Sequence, residues 1–139
     1  MKFVVVQFSL LFLLIVAANW YNTGPVSVIL FALGTFLGLW AIFTVGLTKV
    51  KILPDIRKGA QLVTNGPFKL IRHPMYTSLI IFCSGLVITN PAWYMFSGFI
   101  LLIAVLILKL HYEERKLLLY FDDYAQYKKS TYFLFPFIY

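Results

Sequence analysis

Long apolar stretches alternate with short charged blocks along this chain. Residues 3–48 and 73–108 contain no Asp, Glu, Lys or Arg. Every formal charge except that of Lys2 falls in residues 49–72 or 109–129. Turn-forming residues cut the uncharged stretches into four apolar spans, at about residues 3–18, 26–48, 74–89 and 92–108. Asn19, Trp20, Tyr21, Asn22, Gly24 and Pro25 separate the first two, and Asn90-Pro91 separates the last two. A helix needs roughly 20 apolar residues to cross a bilayer, so four spans use more than half of the chain. The pattern predicts an all-α integral membrane protein, with four transmembrane helices in a single domain over residues 1–139. A soluble protein of this size cannot hide so much apolar sequence.

The ends of the spans refine this picture. Trp20, Tyr21, Trp93 and Tyr94 stand where aromatic residues anchor helices at the lipid–water boundary. Lys2, the apolar stretch and Val16-Ala17-Ala18 also resemble a signal peptide. A retained span is the favoured reading, because the stretch is long for a signal and its turn leads directly into another span. Residues 49–72 form a long polar connection containing Pro54, Asp55, Gly59, Asn65, Gly66 and Pro67. Beyond residue 108 the last helix is expected to continue through His111, Glu113 and Glu114 to about Tyr127. Leu117, Phe121 and Tyr124 would then share one face of an amphipathic interfacial segment. The aromatic tail, residues 132–139, is expected to pack on the protein or dip into lipid.

Composition agrees: 61% of residues are hydrophobic and 12% charged. The net charge of +7 is compatible with nucleic acid, but its placement argues otherwise, because the cations flank apolar spans. The turns after the first and third spans lack Lys and Arg. Lys49, Lys51, Arg57, Lys58, Lys69 and Arg72 follow the second span, and Lys109, Arg115, Lys116, Lys128 and Lys129 follow the fourth. The positive-inside rule therefore predicts a multi-pass protein with both termini, the long loop and the active site in the cytoplasm. Cys83 is the single cysteine, so no intrachain disulfide or Cys-based metal site can form; a buried inert thiol is expected. Gly34 and Gly38 form a small-xxx-small pair, read as a helix-packing face that leaves the oligomeric state open.

The folded-back topology carries two polar segments to one membrane face, residues 66–76 and 109–115. Ionisable groups at a membrane boundary are costly unless paired or used. Lys49, Lys51, Lys58 and Lys128 read as snorkelling anchors. Arg72-His73-Pro74 is more distinctive. Pro74 suits the first turn of a helix and pushes His73 out of the helical region, which leaves His73 near backbone N–H groups that favour anions. Tyr76 lies about one turn inside. His73, His111, Glu113 and Glu114 are also metal-ligand types, but two histidines amid Lys and Arg disfavour a metal site.

Leu62-Val63-Thr64-Asn65-Gly66-Pro67-Phe68, followed by Arg72-His73-Pro74-Met75-Tyr76, resembles the central motif of the isoprenylcysteine carboxyl methyltransferase family. The related membrane phospholipid N-methyltransferases share its features. Glu113-Glu114, Leu117, Phe121, Tyr124, Tyr127 and Pro136 resemble the second half of that pattern. The resemblance covers residues 53–137. Asp122 stands where the family usually has Gly after Phe, and Ser130-Thr131-Tyr132 replaces its basic residue and Val-Pro.

The resemblance implies S-adenosylmethionine as cofactor and methyl transfer at the cytoplasmic membrane surface. By motif matching, the cofactor pocket comprises Gln61, Leu62, Val63, Phe68, His73, Pro74, Met75, Tyr76 and Glu113. Arg72, His73 and Glu114 match catalytic positions, and Lys109 matches a basic position that faces the substrate. Lys109 is equally well read as a snorkelling end of the span. The partners implied are membrane lipids and a lipid-like or prenylated acceptor. A carboxylate acceptor needs no base, whereas an amine must first lose a proton, which Glu114 or His111 can assist. O-methylation of the isoprenylcysteine type is the leading expectation. Phospholipid or amine N-methylation, and a non-enzymatic protein that keeps the fold, are the alternatives.

Overall fold

In the computed structural model, residues 2–46 and 62–136 are described. They form helices α1 (Lys2–Ala17), α2 (Pro25–Val45), α3 (Pro74–Thr89), α4 (Trp93–Tyr120) and α5 (Tyr124–Lys129). Short 3-10 turns occur at Trp20–Asn22 and Gly66–Lys69. No strand occurs among the described residues; Ile71 and Tyr132 form an isolated parallel bridge. The four apolar segments expected to be helical are helices α1 to α4. The second stops at Val45, short of the expected residue 48, because Gly46 adopts φ 88° and closes the helix with its N–H on the Ile42 carbonyl.

α2 and α4 are long and apolar enough to cross a membrane; α1 and α3 are apolar but shorter. The 28 residues of α4 extend about 42 Å, beyond a hydrocarbon core of about 30 Å. Its last three turns, from Lys109 onward, therefore carry the charged residues past the apolar span, which ends near Leu108.

α1 packs along α4 and α2 along α3, while α3 also touches α1 and α4. The helices alternate in direction. At one end of the bundle, Asn90 Nδ2 donates to the Ala17 carbonyl (2.8 Å) and Asn22 Nδ2 to the Thr89 carbonyl (3.1 Å). At the other end lie the start of α1, the end of α2, the start of α3 and the charged part of α4.

Nine of the 16 residues of α3 are buried, which makes it the central helix. α2 is its opposite. Its buried residues are Ser27, Gly34 and Ala41, a seam of small side chains one heptad apart. A Cβ on Gly34 would come within 2.9 Å of the Phe82 nitrogen and the Ser78 oxygen, and one on Gly38 within 3.0 Å of Ser78 Oγ. The two glycines thus form the face that lets α2 approach α3, as the sequence predicted. The outward face of α2 exposes Val28, Leu33, Phe36 and Phe43, the last two at 65%. Such a face suits apolar surroundings.

The expectation that α4 continues to Tyr127 is overturned. Phe121 leaves the helix at φ −115°, ψ 117°, and α5 begins at Tyr124. Fourteen residues of unbroken helix would hold Lys128 about 21 Å from Glu114. Instead Lys128 Nζ lies 2.7 Å from Glu114 Oε2, so α5 folds back. Asp122-Asp123 favours a turn over a helix interior, and the buried Glu114 carboxylate stabilises the returning segment. Phe133 and Leu134 are buried, so the tail packs on the protein as far as residue 136.

Candidate functional site

The corner before α3 is held from three sides. Gly66 adopts φ 56°, and a Cβ there would stand 2.6 Å from Thr44 Oγ1, so the 66–69 turn presses on the end of α2. The Tyr127 hydroxyl donates to the Phe68 carbonyl at 2.6 Å. The Arg72 N–H donates to the Tyr132 carbonyl (2.8 Å), and the Tyr132 N–H donates to the Leu70 carbonyl (3.0 Å). Pro74 then opens α3, with His73 capping it at φ −127°, ψ 59°. The non-helical His73 expected from the His-Pro pair is observed.

Glu113 and Glu114 are successive residues of α4, so their side chains diverge by about 100° around its axis. Each meets a different part of the corner. Glu114 is buried at 4% exposure. Its Oε1 accepts from Arg72 Nε at 2.7 Å and lies 3.4 Å from the Tyr124 hydroxyl; its Oε2 accepts from Lys128 Nζ at 2.7 Å. Arg72 Nη1 donates to the Lys128 carbonyl at 3.1 Å and to the Thr131 carbonyl. Burial alone raises the Glu114 pKa. The contacts with His73, Lys128 and Arg72 outweigh it and hold the carboxyl below its usual range. Burial likewise pushes the Tyr127 phenol up to about 12, so it stays a neutral donor. This cluster ties the corner, α4 and the C-terminal segment together.

Glu113 belongs to a second cluster. Its Oε1 accepts from the Tyr76 hydroxyl at 2.7 Å. Lys109, one turn earlier on α4, is 2% exposed; its Nζ lies 5.1 Å from the centre of the Tyr76 ring and donates to Gln7 Oε1 at 3.0 Å. Lys109 thus points inward, and the snorkelling reading of it is corrected: the interior partners on α1 and α3 hold it.

His73 stands between the clusters. It is 7% exposed, packed edge-on against Tyr76 (6.0 Å) and Phe133 (5.3 Å). Its Nε2 lies 3.4 Å from Glu114 Oε1 but is not aligned for a hydrogen bond. Phe68, Met75 and Tyr76 are half-buried and Pro74 is buried; Leu62 and Val63 are half-buried before the turn. Gln61 lies outside the described residues, as do Lys49, Lys51 and Lys58. His111 is exposed, its Nδ1 2.8 Å from the Ile107 carbonyl, and joins neither cluster's polar contacts. Among the described residues, no three His, Cys, Asp or Glu side chains are grouped to hold a metal.

Sequence reasoning passed over Gln7 as a site residue and treated Lys128 as an anchor. A signal for Gln7 existed. It is the one amide in a helix whose other polar residues are Lys2 and Ser9, and a buried amide demands a partner. Nothing in local pattern marks Lys128, whose role depends on the break after α4.

The sequence model for phospholipid methyltransferase matches residues 23–123. That match takes in α2, where the motif resemblance offered only hydrophobicity, and stops before α5. The chain is also similar to the cobalt-zinc-cadmium resistance protein CzcN of Cupriavidus metallidurans. The two are 33% identical over 134 residues, which is 96% of this chain and 61% of that protein. No solved structure matches.

Proposed function

The chain belongs to the phospholipid methyltransferase family, and on that premise we propose that it is an integral-membrane enzyme that transfers methyl from S-adenosylmethionine to a lipid-like acceptor. The acceptor group is a carboxylate, as in isoprenylcysteine O-methylation. A phospholipid or other amine is the second reading, on the family's own description. In this reading all four helices span the bilayer, with local thinning around the short α1 and α3. Both termini and the charged end face the cytoplasm.

The observation that carries the reading is the Tyr76–Glu113 hydrogen bond at 2.7 Å. It joins the Arg-His-Pro-x-Tyr corner to the paired acids across the start of α3. The residues there fit the cofactor. A carboxylate (Glu113) suits its ammonium or ribose hydroxyls. A buried imidazole whose Nε2 lacks an aligned partner (His73) suits its carboxylate. The faces of Phe68 and Tyr76 suit adenine or sulfonium. When bound, the cofactor supplies an already activated methyl group. The protein's task is then to align the reactants and exclude water. Glu113, His73 and Tyr76 bind. Arg72 and Glu114 position, because their charged atoms are engaged in holding the C-terminal segment against the corner.

Calorimetry with S-adenosylhomocysteine on detergent-solubilised protein tests the reading. Micromolar binding is expected, weakened at least tenfold by His73→Ala or Glu113→Ala and unchanged by Lys129→Ala. Absence of binding overturns the enzyme reading, and equal effects of all three variants overturn the site. Radiolabelled methyl transfer into a membrane extract then decides the acceptor, since base releases label from an ester and not from an amine.

A further inference from the structure

The family model matches as far as residue 123, yet the segment beyond it sets an aromatic ring against the proposed cofactor cluster. Tyr132 is tied to the corner through both of its backbone groups. Its N–H donates to the Leu70 carbonyl at 3.0 Å, and its carbonyl accepts from the Arg72 N–H at 2.8 Å. Two residues on, the Leu134 carbonyl accepts from the buried Thr77 hydroxyl at 2.6 Å. Phe133 lies between these anchors and is 4% exposed. Its ring meets the His73 imidazole edge-on, with centres 5.3 Å apart and planes at 81°. It also packs beside the Arg72 guanidinium (5.5 Å) and the His111 ring (5.4 Å).

We infer that Phe133 is a positioning residue for cofactor binding: it holds the His73 imidazole in the orientation that keeps Nε2 off Glu114 and reserves it for the cofactor's carboxylate. The inference rests on the methyltransferase reading above. The start of α3 fixes the His73 backbone, since its carbonyl accepts from the N–H groups of Tyr76 and Thr77, both at 3.1 Å. The imidazole is held differently. No hydrogen bond engages its Nε2. Glu114 Oε1 stands 3.4 Å from that nitrogen, and a modest turn of the ring would align the two. An N–H spent on the Glu114 carboxylate is lost to an incoming one. Phe133 and Tyr76 both pack edge-on with the imidazole and oppose that turn. One such ring contact biases an orientation by about fivefold.

The test measures S-adenosylhomocysteine affinity by calorimetry on the full-length, detergent-solubilised protein. Phe133→Leu and Phe133→Met are each made alone and together with His73→Ala. Both replacements fill most of the space without a ring, and the second keeps the test open where the first does not fold. Each is expected to weaken binding about fivefold in the wild-type background. In the His73→Ala background each is expected to change affinity by less than about twofold, because the group it acts through is gone. Equal losses in the two backgrounds overturn the proposal and mark Phe133 as packing alone. Wild-type affinity in the single Phe133 variants overturns it as well. A wild type that binds no S-adenosylhomocysteine, or whose binding is unaffected by His73→Ala, overturns the reading of the site itself, and this inference with it.

Discussion

Two adjacent glutamates serve opposite ends of the same corner. Glu114 is enclosed by Arg72, Lys128 and Tyr124, and its contacts run to the C-terminal segment. Glu113 meets Tyr76, and its neighbours lead through Lys109 to Gln7 on α1. One cluster ties down the C-terminal segment; the other holds the residues for which cofactor binding is proposed. The same residue type thus does different work, because a helix turns successive side chains by about 100°. Of the paired acids, Glu114 ties the C-terminal segment to the corner, while Glu113 meets Tyr76, where cofactor binding is proposed.

The comparison breaks most visibly at Glu114. Glu114→Ala leaves the buried Arg72 guanidinium without its carboxylate and is expected to destabilise the protein by about 3–5 kcal/mol. Thermal unfolding in detergent measures it. A loss below about 1 kcal/mol would show that the cluster does not hold the fold. Glu113→Gln is expected to do the reverse: cofactor-product affinity falls at least tenfold, about 1.4 kcal/mol, with the melting temperature little changed.

Acid sharpens the same contrast. The Glu114 pKa is lowered in the folded protein. The stability this contributes is present above the unfolded carboxyl value, near pH 4.3, and is lost as pH falls from about 5 through the folded value. Unfolding curves between pH 7 and 3.5 should show that loss in the wild type and much less of it in Glu114→Gln. Smaller effects come from the periphery. Tyr127→Phe removes the bond to the Phe68 carbonyl and should cost about 1 kcal/mol, read from the same melts. Lys128→Ala, with a side chain 44% exposed, should cost no more than about 1 kcal/mol. An effect as large as that of Glu114→Ala would make Lys128 an equal partner in the cluster.

Much of this was legible along the chain. The helices follow from uninterrupted apolar runs, and Pro74 announces both the start of α3 and the non-helical His73. Gly34 and Gly38 announce the seam of α2 with α3. The break at Phe121 was not legible. Leu117, Phe121 and Tyr124 keep helical spacing, and the fold-back draws on distant partners, Glu114, Arg72 and Phe68. Lys109 was equally ambiguous, since a lysine at the end of an apolar span fits outward snorkelling and inward pairing alike.

What the sequence determined by itself was the apolar character and the order of the helices, because these depend on composition and spacing alone. Which acid meets which partner was decided only in three dimensions. Those pairings join residues as far apart as Gln7 and Lys109 or Arg72 and Glu114. Their energies depend on shared burial, a quantity that does not exist until the helices have packed.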